Sequence, residues 1–229
     1  YEERAPPPPR VIWDLRPAGA GLLDRFLTGE HGRKVKVLVR VRGEKRALLD
    51  MAHTNAHQAY TQESEKARSR LELLEGLASS LALPAVPEVV ECVDISSFQG
   101  GDAVGSVAVS RNAGLAKSEY RCFHIKGESV SDFEMMREVI GRRLRQVKKS
   151  GDVRLILVDG GRAHLSQVLP LAEGAQDTIF LAAIAKARPE QGLAEERVYT
   201  PGSREAVPLD PDSRLMHFIS NLRDEAHRF

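Results

Sequence analysis

Apolar side chains in the second half of the chain fall in short runs and alternations that are typical of β-strands. Residues 155–158 form a continuous apolar run, as expected of a central strand that is covered on both faces. Residues 104–110 and 120–125 lie on either side of a turn at Arg111–Gly114, which favours a hairpin. The pattern predicts five strands, at residues 89–95, 104–110, 120–125, 155–158 and 179–185.

Helical spacing appears between and after the later strands. Ser131 is followed three residues later by Glu134, which is the capping-box pattern at a helix start. Apolar residues then recur at intervals of three and four, and further helices are predicted from about Ala163 and over 211–229. Three hairpin-connected strands followed by alternating helices and strands predict an α/β fold, a mixed five-stranded sheet flanked by helices.

The first 87 residues have a different organisation. Residues 1–10 hold four consecutive prolines, which is typical of a linker. Residues 11–45 show a strand, helix and strand pattern, and a long helix is predicted over 44–82, where two nearby prolines end it. The predicted domains are therefore a Pro-rich linker at 1–10, an N-terminal α/β and long-helix segment at 11–87, and the main domain at 88–229.

Composition and charge exclude some classes of protein. The 33 Lys and Arg residues balance 32 Asp and Glu, so any contact with nucleic acid must come from local patches. No apolar run reaches the roughly 20 residues that a membrane helix needs, which predicts no membrane contact. The only two cysteines, Cys92 and Cys122, lie among apolar residues, and we predict buried free thiols and a cytoplasmic location.

Two aspartates stand at the ends of apolar strands. Asp94 shares a strand face with Val90 and Cys92, where a carboxylate is costly unless it is paired or binds a cation. Asp159 ends the most apolar strand and precedes two glycines, at the strand end where α/β proteins place ligands. Structural roles remain open for both: Asp94 as a strand-end acceptor of turn N–H hydrogen bonds from Ser96 or Ser97, and Asp159 as a helix cap.

A central strand commonly pairs with the first strand of such a sheet, which would bring Asp94 and Asp159 side by side. Two adjacent carboxylates repel each other unless a divalent cation lies between them. Oxygen ligands of this kind suit Mg²⁺ or Mn²⁺, and a metal held this way supports phosphodiester hydrolysis. The pair therefore predicts a metal-dependent nuclease site.

Other candidates lie on the predicted helices. His227 is on the flank of the apolar stripe of the last helix and could reach a cleft, although an ordinary exposed histidine is the alternative. Basic side chains on two helices could neutralise phosphates, and a solvated helix surface is again the alternative. The candidate DNA-binding residues are Arg142, Arg143, Lys148 and Arg223.

Several segments together resemble a known family. They lie in the same order as in the C-terminal endonuclease half of UvrC, a component of excinuclease ABC, and they extend over nearly the whole chain. No single motif decides the resemblance, and its specificity comes from the collinearity. The matching segments are 33–37, 42–46, 91–96, 120–126, 132–139, 157–161 and 223–229.

The resemblance implies an RNase H-like fold and an endonuclease of nucleotide excision repair that cuts the damaged strand on the 5′ side of a lesion. The family's catalytic Asp-Asp-His set corresponds to Asp94, Asp159 and His227, with His227 as a metal ligand or as a proton-transfer group. A further acidic position corresponds to Asp132, but Ser131 stands where many members have a second acid.

The resemblance also implies partners: damaged double-stranded DNA and the excision-repair protein UvrB. Relative to the family, we expect this chain to lack the nuclease for the 3′ cut, the UvrB-binding segment and the helix-hairpin-helix region. Two other functions remain open. The chain could be a non-catalytic DNA-binding or scaffolding fragment, or another RNase H-like enzyme such as a ribonuclease or recombinase.

Overall fold

The structure is a computed structural model that describes residues 8–13, 20–31, 34–39, 41–97, 103–125, 131–187 and 195–229. Most of the predicted Pro-rich linker lies outside these residues, and so do residues 100–102, where a Gly-Gly-Asp sequence predicts a turn. The chain divides into two compact units, residues 1–66 and 67–229.

The first unit contains the strand, helix and strand that its pattern predicts. Strands β1 (Arg10–Trp13) and β2 (Lys36–Val39) pair in parallel, with helix α1 (Ala20–His31) between them in the chain. The hydroxyl of Thr28 accepts a hydrogen bond from the backbone N–H of Val35, which ties the end of α1 to the approach to β2. The long helix α2 (Glu44–Ser80) starts in this unit.

The second unit is built on a mixed seven-stranded sheet. Across the sheet the order is β5-β4-β3-β7-β8-β9, with β6 paired to β4, and β3, β7 and β8 run parallel to one another. The strands are β3 (Val89–Ser97), β4 (Ala103–Arg111), β5 (Gly114–Leu115), β6 (Arg121–Ile125), β7 (Arg154–Asp159), β8 (Ile179–Ala185) and β9 (Arg197–Tyr199).

The five predicted strands are all present, as β3, β4, β6, β7 and β8. The sheet differs from the prediction by two short strands, β5 and β9, of two and three residues, which are too short to carry a periodic pattern. Each is held by hydrogen bonds to a longer neighbour, β4 or β8. The prediction of a mixed sheet flanked by helices is confirmed.

Three helices of the second unit cover the sheet: α3 (Asp132–Val147), α4 (Gly161–Val168) and α5 (Arg214–Arg228). The predicted capping box of α3 is confirmed, since Ser131 and Glu134 exchange side-chain and backbone hydrogen bonds. Helix α5 starts later than predicted because Ser213 caps it, accepting a hydrogen bond from the backbone N–H of Met216. No helix in the described parts of the chain is long and apolar enough to cross a membrane.

The prediction that both cysteines are buried is wrong for one of them. Cys92 on the central strand β3 is buried, whereas Cys122 is exposed. Strand β6 pairs with β4, and burial alternates along its second half, so one of its faces is covered and the other is exposed. Phe123 and Ile125 occupy that covered face and Cys122 lies on the other.

Arg143, one of the candidate DNA-binding residues, is buried, with only 5% of the residue exposed. Its guanidinium donates two hydrogen bonds to the carboxylate of Glu91, which is fully buried on β3, at 2.8 and 2.6 Å. Nη1 of Arg154, at the start of β7, contacts the same carboxylate, and Nη2 of Arg154 pairs with Asp152. Arg143 therefore joins α3 to the sheet, and its guanidinium is occupied by this ion pair.

Candidate active site

The pairing of β3 with β7 brings Asp94 and Asp159 together. The two strands are parallel and Val93 lies opposite Val158, so the aspartates are the next residues on neighbouring strands. Because register partners on adjacent strands point to the same face, both carboxylates lie on one face at the carboxyl-end edge of the sheet. This adjacency is what the two apolar strands predict from the sequence.

His227 reaches the pair from α5, which packs against β3 and β4. Its Nδ1 lies 3.0 Å from Oδ2 of Asp94, although its side chain is 63% exposed and that of Asp94 only 9%. The hydroxyl of Ser96 also donates a hydrogen bond to Oδ2 of Asp94, at 3.3 Å. Asp94 thus accepts a hydrogen bond from one of the predicted serines, although from its hydroxyl within β3 and not from a turn N–H, and it contacts the predicted histidine as well.

The surroundings of Asp159 disfavour the ionised form of its carboxyl. Burial raises the pKa of its carboxyl, the charge of Asp94 raises it further, and the ammonium of Lys186 opposes both. Lys186 Nζ lies 3.2 Å from Oδ2 of Asp159, so the ammonium is an ion-pair partner of this buried oxygen. The alternative role as a helix cap is not observed, because Gly160 is the N-cap of α4 and no side chain caps it.

The donor set fits a divalent cation. Two adjacent carboxylates, of which the charge of one raises the pKa of the other, would be relieved of mutual repulsion by a bound cation. Carboxylate oxygens are the ligands that Mg²⁺ and Mn²⁺ favour. Among the described residues no group of three His, Cys, Asp or Glu is arranged as a metal site, so the ligands that this site offers are the two aspartates.

Asp132 is the first residue of α3 and is exposed. The ring of its neighbour Phe133 contacts that of His164 on α4, with centroids 4.5 Å apart, so this end of α3 lies beside the helix that follows Asp159. Within the described residues the Asp132 carboxylate makes no hydrogen bond or ion pair, and it is not joined to the pair of aspartates.

Arg223 does not lie on an open surface, as a DNA contact would. It is 8% exposed, and its guanidinium pairs with the carboxylates of Glu196 and Asp224. Arg142 is more exposed but donates to the carbonyl of His124 and to Glu138. Of the four predicted DNA contacts, Arg143 is therefore held in a buried ion pair, and Arg223 in pairs whose carboxylates are partly exposed. Lys148, at the end of α3, is exposed.

The sequence reasoning missed Lys186, whose ammonium pairs with the carboxylate of Asp159. A signal for it was available, because Lys186 directly follows the apolar strand β8. The carboxyl end of β8 lies beside that of β7, where Asp159 stands opposite Ile184. A lysine at that position would be expected near Asp159.

Two family models match the chain. The "UvrC RNAse H endonuclease domain" matches residues 78–229 and the "UvrC Ribonuclease H-like domain" matches residues 1–63. The chain belongs to the UvrC endonuclease family. Proteins named UvrABC system protein C are similar over its whole length, with 36% identity for Paramagnetospirillum magneticum and 32% for Desulfotalea psychrophila, over 97% and 100% of this chain. The chain spans 37% and 38% of these two relatives.

Solved structures show weaker likeness. The endonuclease V of Ciona intestinalis bound to DNA is 17% identical, covering 58% of this chain and 62% of that one, with a TM-score of 0.34. Aquifex aeolicus Argonaute is 14% identical over 51% of this chain and 17% of its own, with a TM-score of 0.35. These similarities are too low to support an argument, so the assignment to the UvrC family rests on the family models and on the relatives.

Proposed function

We propose that this chain is a metal-dependent DNA endonuclease of nucleotide excision repair, which hydrolyses a phosphodiester of the damaged strand on the 5′ side of a lesion. The observation that carries the proposal is the adjacency of Asp94 and Asp159 with His227 bonded to Asp94. Membership of the UvrC endonuclease family supports the DNA substrate and the role in repair.

In this proposal Asp94 and Asp159 would hold Mg²⁺ or Mn²⁺, and such an ion would supply Lewis-acid chemistry at a phosphoryl oxygen and a lowered pKa for water. His227 is oriented through Nδ1 by Asp94, which leaves Nε2 as the ring nitrogen for transfer of a proton in the cleft. Ligation of the ion by His227 is the alternative, and it predicts that His227→Ala weakens metal binding as well as cutting. Asp132 is kept as a further acidic residue of the site.

The proposal is tested by nicking of supercoiled plasmid with Mg²⁺, with Mn²⁺ and with a chelator. We expect Asp94→Asn and Asp159→Asn to lose at least about 100-fold in rate, because each removes a charge that holds the metal. Asp212→Asn is the matched control, since Asp212 is exposed in the turn before α5. Wild-type rates for Asp94→Asn, or nicking that persists in the chelator, would contradict the assignment.

A non-catalytic DNA-binding or scaffolding fragment is the second candidate. The observation in its favour is that the described residues contain no three-ligand metal cluster. It predicts DNA binding without nicking in any divalent metal. A third candidate, another RNase H-like enzyme, is separated by its substrate. The first proposal predicts faster nicking of a lesion-bearing duplex than of an RNA–DNA hybrid, whereas another RNase H-like enzyme would cut the hybrid faster. UvrB as partner and a cytoplasmic location follow from the proposed role in repair.

A further inference from the structure

A cavity of about 1050 Å³ opens beside the aspartate pair within the second unit. Ligand sites in proteins commonly occupy about 300–1,000 Å³, so this volume suits a substrate segment. It starts at Asp159 and continues along the first turn of α4 to the turn after β9. Its charged and aromatic lining consists of Asp159, Arg162, Lys186, Tyr199 and Arg204.

The cavity lies on one side of the aspartate pair and His227 on the other. Along the sheet the order is β4, β3, β7, β8 and β9. His227 comes from α5, which covers β3 and β4, whereas the cavity is lined by residues that follow β7, β8 and β9. A strand with its reacting phosphate at the aspartates would therefore continue into this cavity on the side away from His227.

The charge of the lining favours an anion. The cavity is lined by three cationic side chains and by one carboxylate, that of Asp159. Lys186 is the cation next to Asp159, at 3.2 Å. The guanidinium of Arg204, at the far end, is exposed and makes no hydrogen bond or ion pair with another described residue. A cation without a partner in a concave site is a position where a phosphate would gain an ion pair.

The wall that carries two of these cations is braced. Nη1 of Arg162 on α4 donates a hydrogen bond to the backbone carbonyl of Arg204 at 2.9 Å, which ties the first turn of α4 to the turn after β9. The hydroxyl of Ser203 shapes the same turn by accepting from the backbone N–H of Glu205. The guanidinium of Arg162 and the backbone that carries Arg204 are thus held before any ligand arrives, which lowers the ordering cost of binding.

We propose that Lys186, Arg162 and Arg204 form a binding track for the backbone phosphates of the DNA strand that is cut, on the side of the scissile phosphate away from His227. The inference rests on the proposed function in taking DNA as the substrate. The three residues position the strand, and none of them is assigned a part in breaking the bond.

The test is the binding of a fluorescent single-stranded DNA oligonucleotide to the whole chain in a chelator, where no cutting is expected, at several salt concentrations. We expect Arg204→Ala to weaken binding about threefold to tenfold and to lower the salt slope by about 0.7, the value expected when one phosphate fewer of a single strand is neutralised. Arg204→Lys should keep most of the wild-type affinity and salt slope, because it keeps the charge. Lys117→Ala is the matched control, since Lys117 is exposed and follows β5 at the opposite end of the sheet.

Equal affinities and slopes for Arg204→Ala and Lys117→Ala would overturn the inference, and so would Arg204→Lys behaving as Arg204→Ala. A wild-type chain that binds the oligonucleotide with no salt dependence would also overturn it. Where nicking is measurable, Arg204→Ala should raise KM with little change in kcat, because uniform binding is lost. Failure of the wild type to nick would count against the proposed function alone, since the salt slope is measured without cutting.

Discussion

His227 shows how one residue of the site differs from others of its type. It lies on α5 with His217, and both side chains are exposed, but only His227 contacts a carboxylate of the aspartate pair. Periodicity along α5 places both histidines outside the buried stripe. What distinguishes them is distance to β3, which sequence spacing does not report.

We predict that His227→Ala lowers the nicking rate by about 100-fold, the lower range for loss of a group that transfers a proton. The fold should be unaffected, because the imidazole is largely exposed and buries little apolar surface. Rates are measured on supercoiled plasmid and stability by urea unfolding. His217→Ala, on the same helix, should match the wild type in both measurements. Equal losses of nicking rate in the two variants would show that the integrity of α5, and not the His227 imidazole, determines the rate.

The two cysteines give a second prediction for single residues. Burial raises the pKa of the Cys92 thiol well above its usual range, and the charges of Asp159 and Asp94 raise it further. Cys122 is exposed. Because the thiolate is the reactive form, iodoacetamide should label Cys122 in the folded chain and leave Cys92 unmodified until urea is added. Peptide mass spectrometry locates the label, and early modification of Cys92 would contradict the packing of β3.

Among elements, the joint between α3 and the sheet depends on charge as well as on apolar contacts. Glu91 on β3 is fully buried and accepts from Arg143 on α3 and from Arg154 on β7. Removing the acid would leave two guanidinium groups buried without a carboxylate between them.

Glu91→Gln should therefore destabilise the chain by about 3–5 kcal/mol, the range found when one partner of a buried ion pair is removed. Glu138→Gln is the matched control, because Glu138 pairs with Arg142 on the surface of the same helix. An exposed pair of that kind contributes about 0.2–1 kcal/mol. Urea unfolding measures both, and similar small losses for the two variants would contradict the structural role given to Glu91.

The elements that the sequence predicts well are those with local patterns. The capping box at Ser131 and the five longer strands are visible in the order of residues alone. The basic residues of α3 look alike in sequence, yet Arg143 is buried because Glu91 lies opposite it, far away in the chain. An acid within the apolar segment around Glu91 was the available signal for that partner.

The same limit applies to the candidate site. The adjacency of Asp94 and Asp159 follows from placing two apolar strands next to each other, which the sequence allows. The cavity beside them depends on the short strand β9 and on the turn that contains Arg204, and neither has a pattern of its own. Contacts between segments without periodicity are the part of the fold that sequence reasoning did not supply.

For the molecule as a whole, the site and the stability of the fold oppose each other at Asp159. Its pKa is raised, above all by burial, so the folded state disfavours the ionised form that a metal needs. A carboxyl with a raised pKa in the folded state reduces stability as the pH rises from its ordinary pKa of about 4 through the raised value. The second unit is therefore less stable at neutral pH than it would be with an uncharged side chain at this position.

Asp159→Asn should accordingly be more stable than the wild type at pH 7 in a chelator, and the difference should vanish as the pH falls below about 4. Added Mn²⁺ should make the wild type the more stable of the two proteins. A metal at 100 times its dissociation constant stabilises the wild type by about 2.7 kcal/mol, whereas the variant lacks one of the ligands and binds the metal more weakly. Urea unfolding at both pH values, with and without Mn²⁺, measures these differences, and Asp212→Asn should follow the wild type throughout. A variant less stable than the wild type at pH 7 without metal would show that the ion pair between Asp159 and Lys186 outweighs burial.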